Sequence, residues 1–246
     1  MCATRPATSD LMRPPASMLP LSLQLAICAL TGVAMMQLCR HGGAEGNATG
    51  WWIASALYLA GSGAVLMLMR RFYPHSRIGG CNAVTLLRAA LVAALLPPLA
   101  AGEAAGLTVA VIGGAALALD GVDGWLARRS GLASGFGARF DMEVDASLAL
   151  ILSLHILSGT KVGAEILLLG LTRYVFVAAG VVWPALTAPL PPRFRRKLIC
   201  VVQLATLVLL QLPALPADLT IWLARLTGAA LLWSFAVDIR WLWRHA

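Results

Sequence analysis

Residues 120–145 read DGVDGWLARRSGLASGFGARFDMEVD, and they set four aspartates, Asp120, Asp123, Asp141 and Asp145, into an otherwise lipid-soluble chain. Asp120 and Asp123 are three residues apart and share a helix face, with Gly124, Ala127 and Arg128 following at +4, +7 and +8 from Asp120. Gly137, Asp141 and Asp145 recur at intervals of four and form a second stripe, while Glu143 points to the other side of that helix. The linker SGLASGFG is short, so the two helices are expected to be antiparallel neighbours whose acids converge at one end of a bundle.

The rest of the chain says what that bundle is immersed in. Of 246 residues, 59% are apolar and 12% charged, with a mean hydropathy of +0.80. A soluble domain carries about twice that share of charge, and several apolar runs approach the roughly 20 residues that cross a bilayer. The fold class expected is an all-α polytopic membrane protein. Eight spans are read, at about 20–38, 51–69, 82–100, 106–126, 140–158, 164–183, 198–212 and 219–238. Residues 1–19, polar and rich in proline, are expected to be a disordered cytoplasmic lead-in. The first span lacks a small-x-small cleavage site and is read as retained.

Charge placement sets the orientation. The net charge of +8 does not point to nucleic acid, because the basic residues gather in alternate loops. With the amino terminus inside, the cytoplasmic segments hold Arg70, Arg71 and Arg77, then Arg128, Arg129 and Arg139, then Arg193, Arg195, Arg196 and Lys197. The outer loops hold only Arg40 and Lys161. Both termini are therefore expected in the cytoplasm, with the aspartates at the cytoplasmic face of a bacterial-type inner or plasma membrane. Segment 70–81, RRFYPHSRIGG preceded by the second span and ending at Cys81, reads as an interfacial basic stretch. Its bland reading is a linker anchored by its arginines. The five cysteines show no CxxC or His–Cys ligand spacing and read as small membrane hydrophobes. The sequon Asn47-Ala48-Thr49 is taken as coincidence.

An unpaired aspartate at the bilayer centre costs roughly 2.5–3.5 kcal/mol on insertion scales. Arg128 and Arg139 would offset part of four such charges. Two divalent ions would cancel them, and hard carboxylate oxygens suit Mg2+ or Mn2+. The competing structural reading is a set of interfacial aspartates neutralised by loop arginines.

The pattern D-x-x-D-G-x-x-A-R, eight residues, then G-x-x-x-D-x-x-x-D resembles the signature of the CDP-alcohol phosphotransferases. Asp120, Asp123, Gly124, Ala127, Arg128, Gly137, Asp141 and Asp145 fill every position. A weaker match precedes it: CNAVTLLR supplies Asn82, Thr85 and Arg88, with Cys81 where the family often has proline. The resemblance implies a six-helix catalytic domain over residues 82–246, preceded by two extra transmembrane helices over 20–69. It implies transfer of a substituted phosphate from a CDP-linked donor to an alcohol, with release of CMP. It further implies that Asp120, Asp123, Asp141 and Asp145 bind two divalent ions, with Asp145 also the general base. Asn82, Thr85, Arg88, Gly124, Ala127, Arg128 and Gly137 would then surround the CDP group.

For the acceptor the readings are Arg173, inside the sixth span, and the cluster Arg193, Arg195, Arg196 and Lys197. These favour an anionic acceptor of the glycerol 3-phosphate or inositol phosphate type and CDP-diacylglycerol as donor. Ordinary topology control is the competing account of the loop cluster. Trp183-Pro184 suggests a broken helix end, and Pro189, Pro191 and Pro192 a stiff loop. Two alternatives stay open: a CDP-headgroup:diacylglycerol transferase, and an ion- or proton-coupled transporter using intramembrane carboxylates. Relatives that form homodimers make self-association a further expectation.

Overall fold

The structure, a computed structural model, describes residues 19–102, 105–188, 191 and 193–245, apart from the side chains of residues 127, 128, 185, 187 and 245. The lead-in, except for Leu19, and the prolines at 189 and 192 lie outside the described residues.

Every regular element described is helical: α1 (Leu21–His41), α2 (Ala48–Phe72), α3 (Gly79–Ala94), α4 (Leu96–Ala100), α5 (Leu107–Ser130), α6 (Gly135–Gly159), α7 (Leu167–Val182), α8 (Phe194–Leu209) and α9 (Ala217–His245). α4 is the continuation of α3 past Leu95, where Pro97 and Pro98 follow and the backbone ladder is interrupted. Counting α3 and α4 as one broken helix gives six core helices behind two amino-terminal ones. The chain is an all-α polytopic membrane protein.

Among the described residues six helices are long and apolar enough to cross a membrane, not the eight expected. α6 and α8 are the two outside that set. α8 has 16 residues, short of a span, and α6 opens with Arg139, Asp141, Glu143 and Asp145 in its first turns. For α6 the physical reason is the site itself, since a helix that carries its acids cannot also be uniformly apolar; for α8 it is length.

Local chemistry sets the boundaries. Asn47 caps α2 by accepting from the Gly50 amide at 2.7 Å, so the formal sequon serves as a helix start. Ser134 caps α6 in the same way, accepting from the Gly137 amide at 3.0 Å. α5 stops at Gly131, whose φ of 67° is the left-handed conformation that glycine adopts without a Cβ penalty. Residues 73–78 separate α2 from α3, so half of the basic segment 70–81 is absorbed into helix ends. α7 ends at Val182, and a 3-10 turn, Pro184–Thr187, follows.

α3 is the most enclosed helix and stands between α1 and α5, with α2 and α6 on its flanks. α6 packs on α7, α8 packs on α9, and α5 and α6 both reach α8. In a bilayer such contacts rest on close van der Waals approach more than on water exclusion, which favours small residues. Gly170 on α7 shows this: a Cβ there would stand 2.8 Å from the Leu150 Cα and 2.9 Å from the Ser153 hydroxyl. Polar crosslinks add to it. His155 Nε2 meets the Leu95 carbonyl at 3.0 Å, at the break between α3 and α4, and Gln211 donates to the Leu152 carbonyl at 3.0 Å.

Gly170→Val must push α7 off the α6 backbone, at a cost of about 1–3 kcal/mol for overpacking. Gly228→Ala on α9, where an added Cβ meets no atom within 4 Å, is expected to be neutral or slightly stabilising. Intrinsic fluorescence melting of the detergent-solubilised protein checks both, and equal midpoints for the two variants would refute the close-approach account.

Candidate active site

Three helices deliver the site. α3 contributes Asn82, Thr85 and Arg88, spaced by three and all buried; α5 contributes Asp120 and Asp123; α6 contributes Asp141 and Asp145. Their convergence depends on how closely α3 and α6 approach. A Cβ on Gly137 would lie 2.9 Å from the Asn82 Oδ1, so glycine is what lets the first turn of α6 settle against α3. Asn82 in turn donates to the Ile78 carbonyl at 2.7 Å, which fixes the start of α3.

At the centre is Arg88, whose side chain is 0% exposed. Its Nη1 lies 3.1 Å from Asp120 Oδ1 and 2.9 Å from Asp123 Oδ2, and it also pairs with Asp141; its Nη2 pairs with Asp145. Its Nε donates to the Ala116 carbonyl at 3.0 Å. Thr85 donates to Asp123 Oδ2 at 3.2 Å. All four motif aspartates therefore touch one guanidinium. The flat, multi-donor geometry of arginine permits this where a lysine ammonium would not.

The electrostatics are lopsided. Four carboxylates face one arginine, so three negative charges remain to be balanced in a medium of low dielectric. One carboxylate oxygen each from Asp120, Asp141 and Asp145 lies within 4.8 Å of the other two, a hard-oxygen set suited to a divalent cation. Asp123 is more deeply buried and hydrogen-bonds with Thr85 and Arg88, outside that trio.

Other sequence-derived residues fall in different places. Gly124 is half-buried on α5 beside Asp123. Ala127 and Arg128 continue that helix, but their side chains lie outside the described set. Arg139, expected to offset the acids, lines a groove on the other flank of α6. Arg173 on α7 pairs with Glu143 and contacts the Met142 sulfur. Its buried Nε has no hydrogen-bond partner among the described residues. Arg173 and Asp145 together line a recess of about 120 Å³, with Thr172, Cys200 and Gln203. In the loop cluster, Arg195 donates to Ser234 Oγ and Asp238 Oδ1, both at 2.5 Å, and lies over the Trp233 ring. Arg196 bonds the Pro191 carbonyl and stands 4.0 Å from Asp238. Arg193 and Lys197 are exposed.

Sequence reasoning grouped Arg88 with the nucleotide and did not foresee its contact with the acids. The available signal was charge balance, since Arg88 is a basic residue in a span next to the acid-bearing one. Thr172, Cys200 and Gln203 gave no signal, because single polar residues on apolar helices are common.

The family model described as CDP-alcohol phosphatidyltransferase matches residues 80–237, and the chain belongs to that family. It is therefore a membrane-embedded transferase of substituted phosphate groups, acting in phospholipid biosynthesis on a CDP-alcohol and an alcohol acceptor. The family typically uses a divalent metal, which agrees with the donor chemistry of the aspartate trio. Family membership sets aside the transporter alternative. Neither the curated proteins nor the solved structures include a match to the chain.

Replacing Arg88 with leucine leaves four acids, Asp123 buried and the other three partly exposed, facing one another without their shared cation. The expected loss is about 3–5 kcal/mol, the range for removing one partner of a buried pair. The melting midpoint should drop most in chelator and recover partly with Mg2+, which supplies the missing positive charge. A variant that melts like the parent protein in chelator would sink the idea that the acids depend on Arg88.

Proposed function

We propose that the protein transfers a phosphatidyl group from CDP-diacylglycerol to a small anionic polyol at the cytoplasmic face of a bacterial-type plasma membrane. The observation that carries this reading is the recess where Asp145 and Arg173 meet. Asp145 and Arg173 both line it, and the buried Arg173 Nε has no hydrogen-bond partner among the described residues. That pairing suits a hydroxyl acceptor that also bears a phosphate.

In this reading the acceptor hydroxyl gives its proton to Asp145 as its oxygen bonds to the phosphatidyl phosphorus. The bond from that phosphorus to the bridging oxygen breaks, and CMP leaves with the electron pair. Arg173 holds the acceptor phosphate and so aims the hydroxyl. Asn82 and Thr85, with Gly124, Ala127, Arg128 and Gly137, surround the CDP group, Gly124 and Ala127 admitting it close to the helix backbone and Gly137 keeping α6 close to α3. Asp120, Asp123, Asp141 and Asp145 would hold two Mg2+ or Mn2+ ions, whose contribution is to neutralise the diphosphate and stabilise the leaving oxygen. Arg88 holds these acids in register.

The size of the recess bears on the acceptor. About 120 Å³ is some four water molecules' share of liquid volume. That is room for part of a small polyol and for none of the acceptors whole, so glycerol 3-phosphate, the smallest anionic acceptor considered, is proposed ahead of inositol phosphate and of diacylglycerol with a CDP-headgroup donor. Arg195, held by Ser234 and Asp238, is assigned to tying α8 to α9, which leaves Arg193, Arg196 and Lys197, at the start of α8, as the cluster's contribution to anion attraction. Termini inside and homodimer formation complete the proposal, on the strength of the basic loops and the family resemblance.

The test is CMP release by purified protein given CDP-diacylglycerol, Mg2+ or Mn2+, and a panel of acceptors. Asp145→Asn is expected to lower kcat by about 10²–10⁴, the usual contribution of a positioned base. Arg173→Gln is expected to raise the acceptor KM by about tenfold or more with a smaller change in kcat, since a hydrogen bond to a charged group is worth about 1.5–3 kcal/mol. Chelator should abolish turnover and either ion restore it. CMP release that requires diacylglycerol and a CDP-headgroup instead would overturn the choice of donor.

A further inference from the structure

Among the residues lining the recess with Asp145 and Arg173, Gln203 is the least expected. It stands on α8 among Val201, Val202 and Leu204, where a side-chain amide is costly unless both of its ends are satisfied. Its Nε2 donates to the Leu169 carbonyl of α7. A carbonyl can be met only by the amino end of an amide, so α7 dictates which way the Gln203 amide points. The other end, Oε1, makes no hydrogen bond among the described residues, and Gln203 is half-buried at the recess wall. Thr172 is left in the same state, because its hydroxyl proton is directed to the Leu168 carbonyl and its oxygen remains an acceptor.

Gln211 provides the contrast. It donates to the Leu152 and Leu207 carbonyls at 3.0 and 3.2 Å, but it is 1% exposed and lines neither the recess nor the groove on the other flank of α6. The Gln211 amide is a helix tie; the Gln203 amide is a helix tie with one end presented to a cavity. That cavity exists because Ala146 and Ala149 on α6 lack bulk, and Leu231 and Phe235 of α9 add apolar surface to it. Its volume of about 120 Å³ is roughly four water-sized groups. Two adjacent carbons and their two hydroxyls are of that size. Around them stand a carboxylate, a cation and two neutral acceptors, a set that complements a ligand with hydroxyl protons to give and an anionic group to be held.

We infer that Gln203 reads a second hydroxyl of the acceptor, the one on the carbon next to the reacting CH2OH, so that the recess selects a terminal 1,2-diol. The inference rests on the anionic polyol proposed above. The reacting hydroxyl gives its proton to Asp145, the phosphate meets Arg173, and the neighbouring hydroxyl donates to Gln203 Oε1. The Leu169 carbonyl has already fixed that oxygen in place, so little ordering is needed when the acceptor enters. An acceptor without the neighbouring hydroxyl leaves Oε1 covered and unpaired, which is the penalty that makes a polar site selective. Gln203 is thus a specificity-determining residue, with Asp145 the group that takes the proton.

The test compares glycerol 3-phosphate with 3-hydroxypropyl phosphate, which keeps the reacting hydroxyl and the phosphate but has hydrogen where the middle hydroxyl would be. With the full chain in lipid nanodiscs, CDP-diacylglycerol and Mg2+, kcat/KM for CMP release should be about tenfold or more higher with glycerol 3-phosphate. Gln203→Leu should lose about tenfold on glycerol 3-phosphate and stay within about threefold on 3-hydroxypropyl phosphate. Gln211→Leu, which removes a helix tie away from the recess, should keep the parent protein's ratio between the two acceptors. Calorimetric titration with glycerol 3-phosphate gives a readout apart from turnover, and Gln203→Leu should weaken that binding about tenfold. Equal kcat/KM for the two acceptors in the parent protein overturns the hydroxyl contact and leaves the proposed reaction standing. Binding that Gln203→Leu weakens, without CMP release, keeps the contact and removes the reaction; neither binding nor release removes both. Equal losses on both acceptors in Gln203→Leu mean that the amide only ties α8 to α7, and the inference fails. Should Gln203→Leu not fold, the parent protein's own ratio decides alone.

Discussion

Four carboxylates inside a membrane protein repel one another and resist leaving water, and the contact that makes their gathering tolerable is the guanidinium of Arg88. In a low dielectric an unpaired charge is costly, while a charge with several hydrogen-bonded partners is not. Arg88 reaches all four acids because it rises from α3, the helix enclosed by α1, α2, α5 and α6. The position of α3 therefore sets where the four acids gather around Arg88.

That constraint extends into details with no chemistry of their own. Gly137 is small so that α6 can start against Asn82, and Ser134 caps the helix at the same point. Gly131 reverses the chain so that α5 and α6 can return their acids to one place. Past the acids, α3 breaks at Leu95, and His155 of α6 bonds the buried carbonyl there. Close helix approach at one end and polar repair at the other hold the α3–α6 pair in a single register. The consequence is that α6 acts as a partition, with the small recess that Asp145 and Arg173 line on its α7–α8 side and the apolar groove on its α2–α3 side.

The amino-terminal pair α1 and α2 packs on α3 by the means membrane helices use generally, small residues against rings and polar groups against backbone. Gly32 on α1 lies so close to the Tyr58 ring that a Cβ there would overlap it, and Tyr58 continues on to α3. The extension is thus integrated with the catalytic helices.

The sequence by itself determined the class of fold and the identity of the acids. Hydropathy over 246 residues requires membrane helices, and spacings of three and four place Asp120 with Asp123 and Asp141 with Asp145 on single faces, because the α-helix has a fixed period. It overcounted the apolar spans at α6 and α8, where charge and length depart from a simple spanning helix. Which residue would neutralise the acids was decided only in three dimensions. Arg128 and Arg139 are nearer in sequence, yet Arg88, from a different helix, is the one whose contacts with all four are seen. The same holds for the Arg173–Asp145 recess and for the groove behind α2. Helical periodicity is local and is written in the spacing of residues; the pairing of faces depends on how whole helices pack, and no spacing along one chain segment contains it.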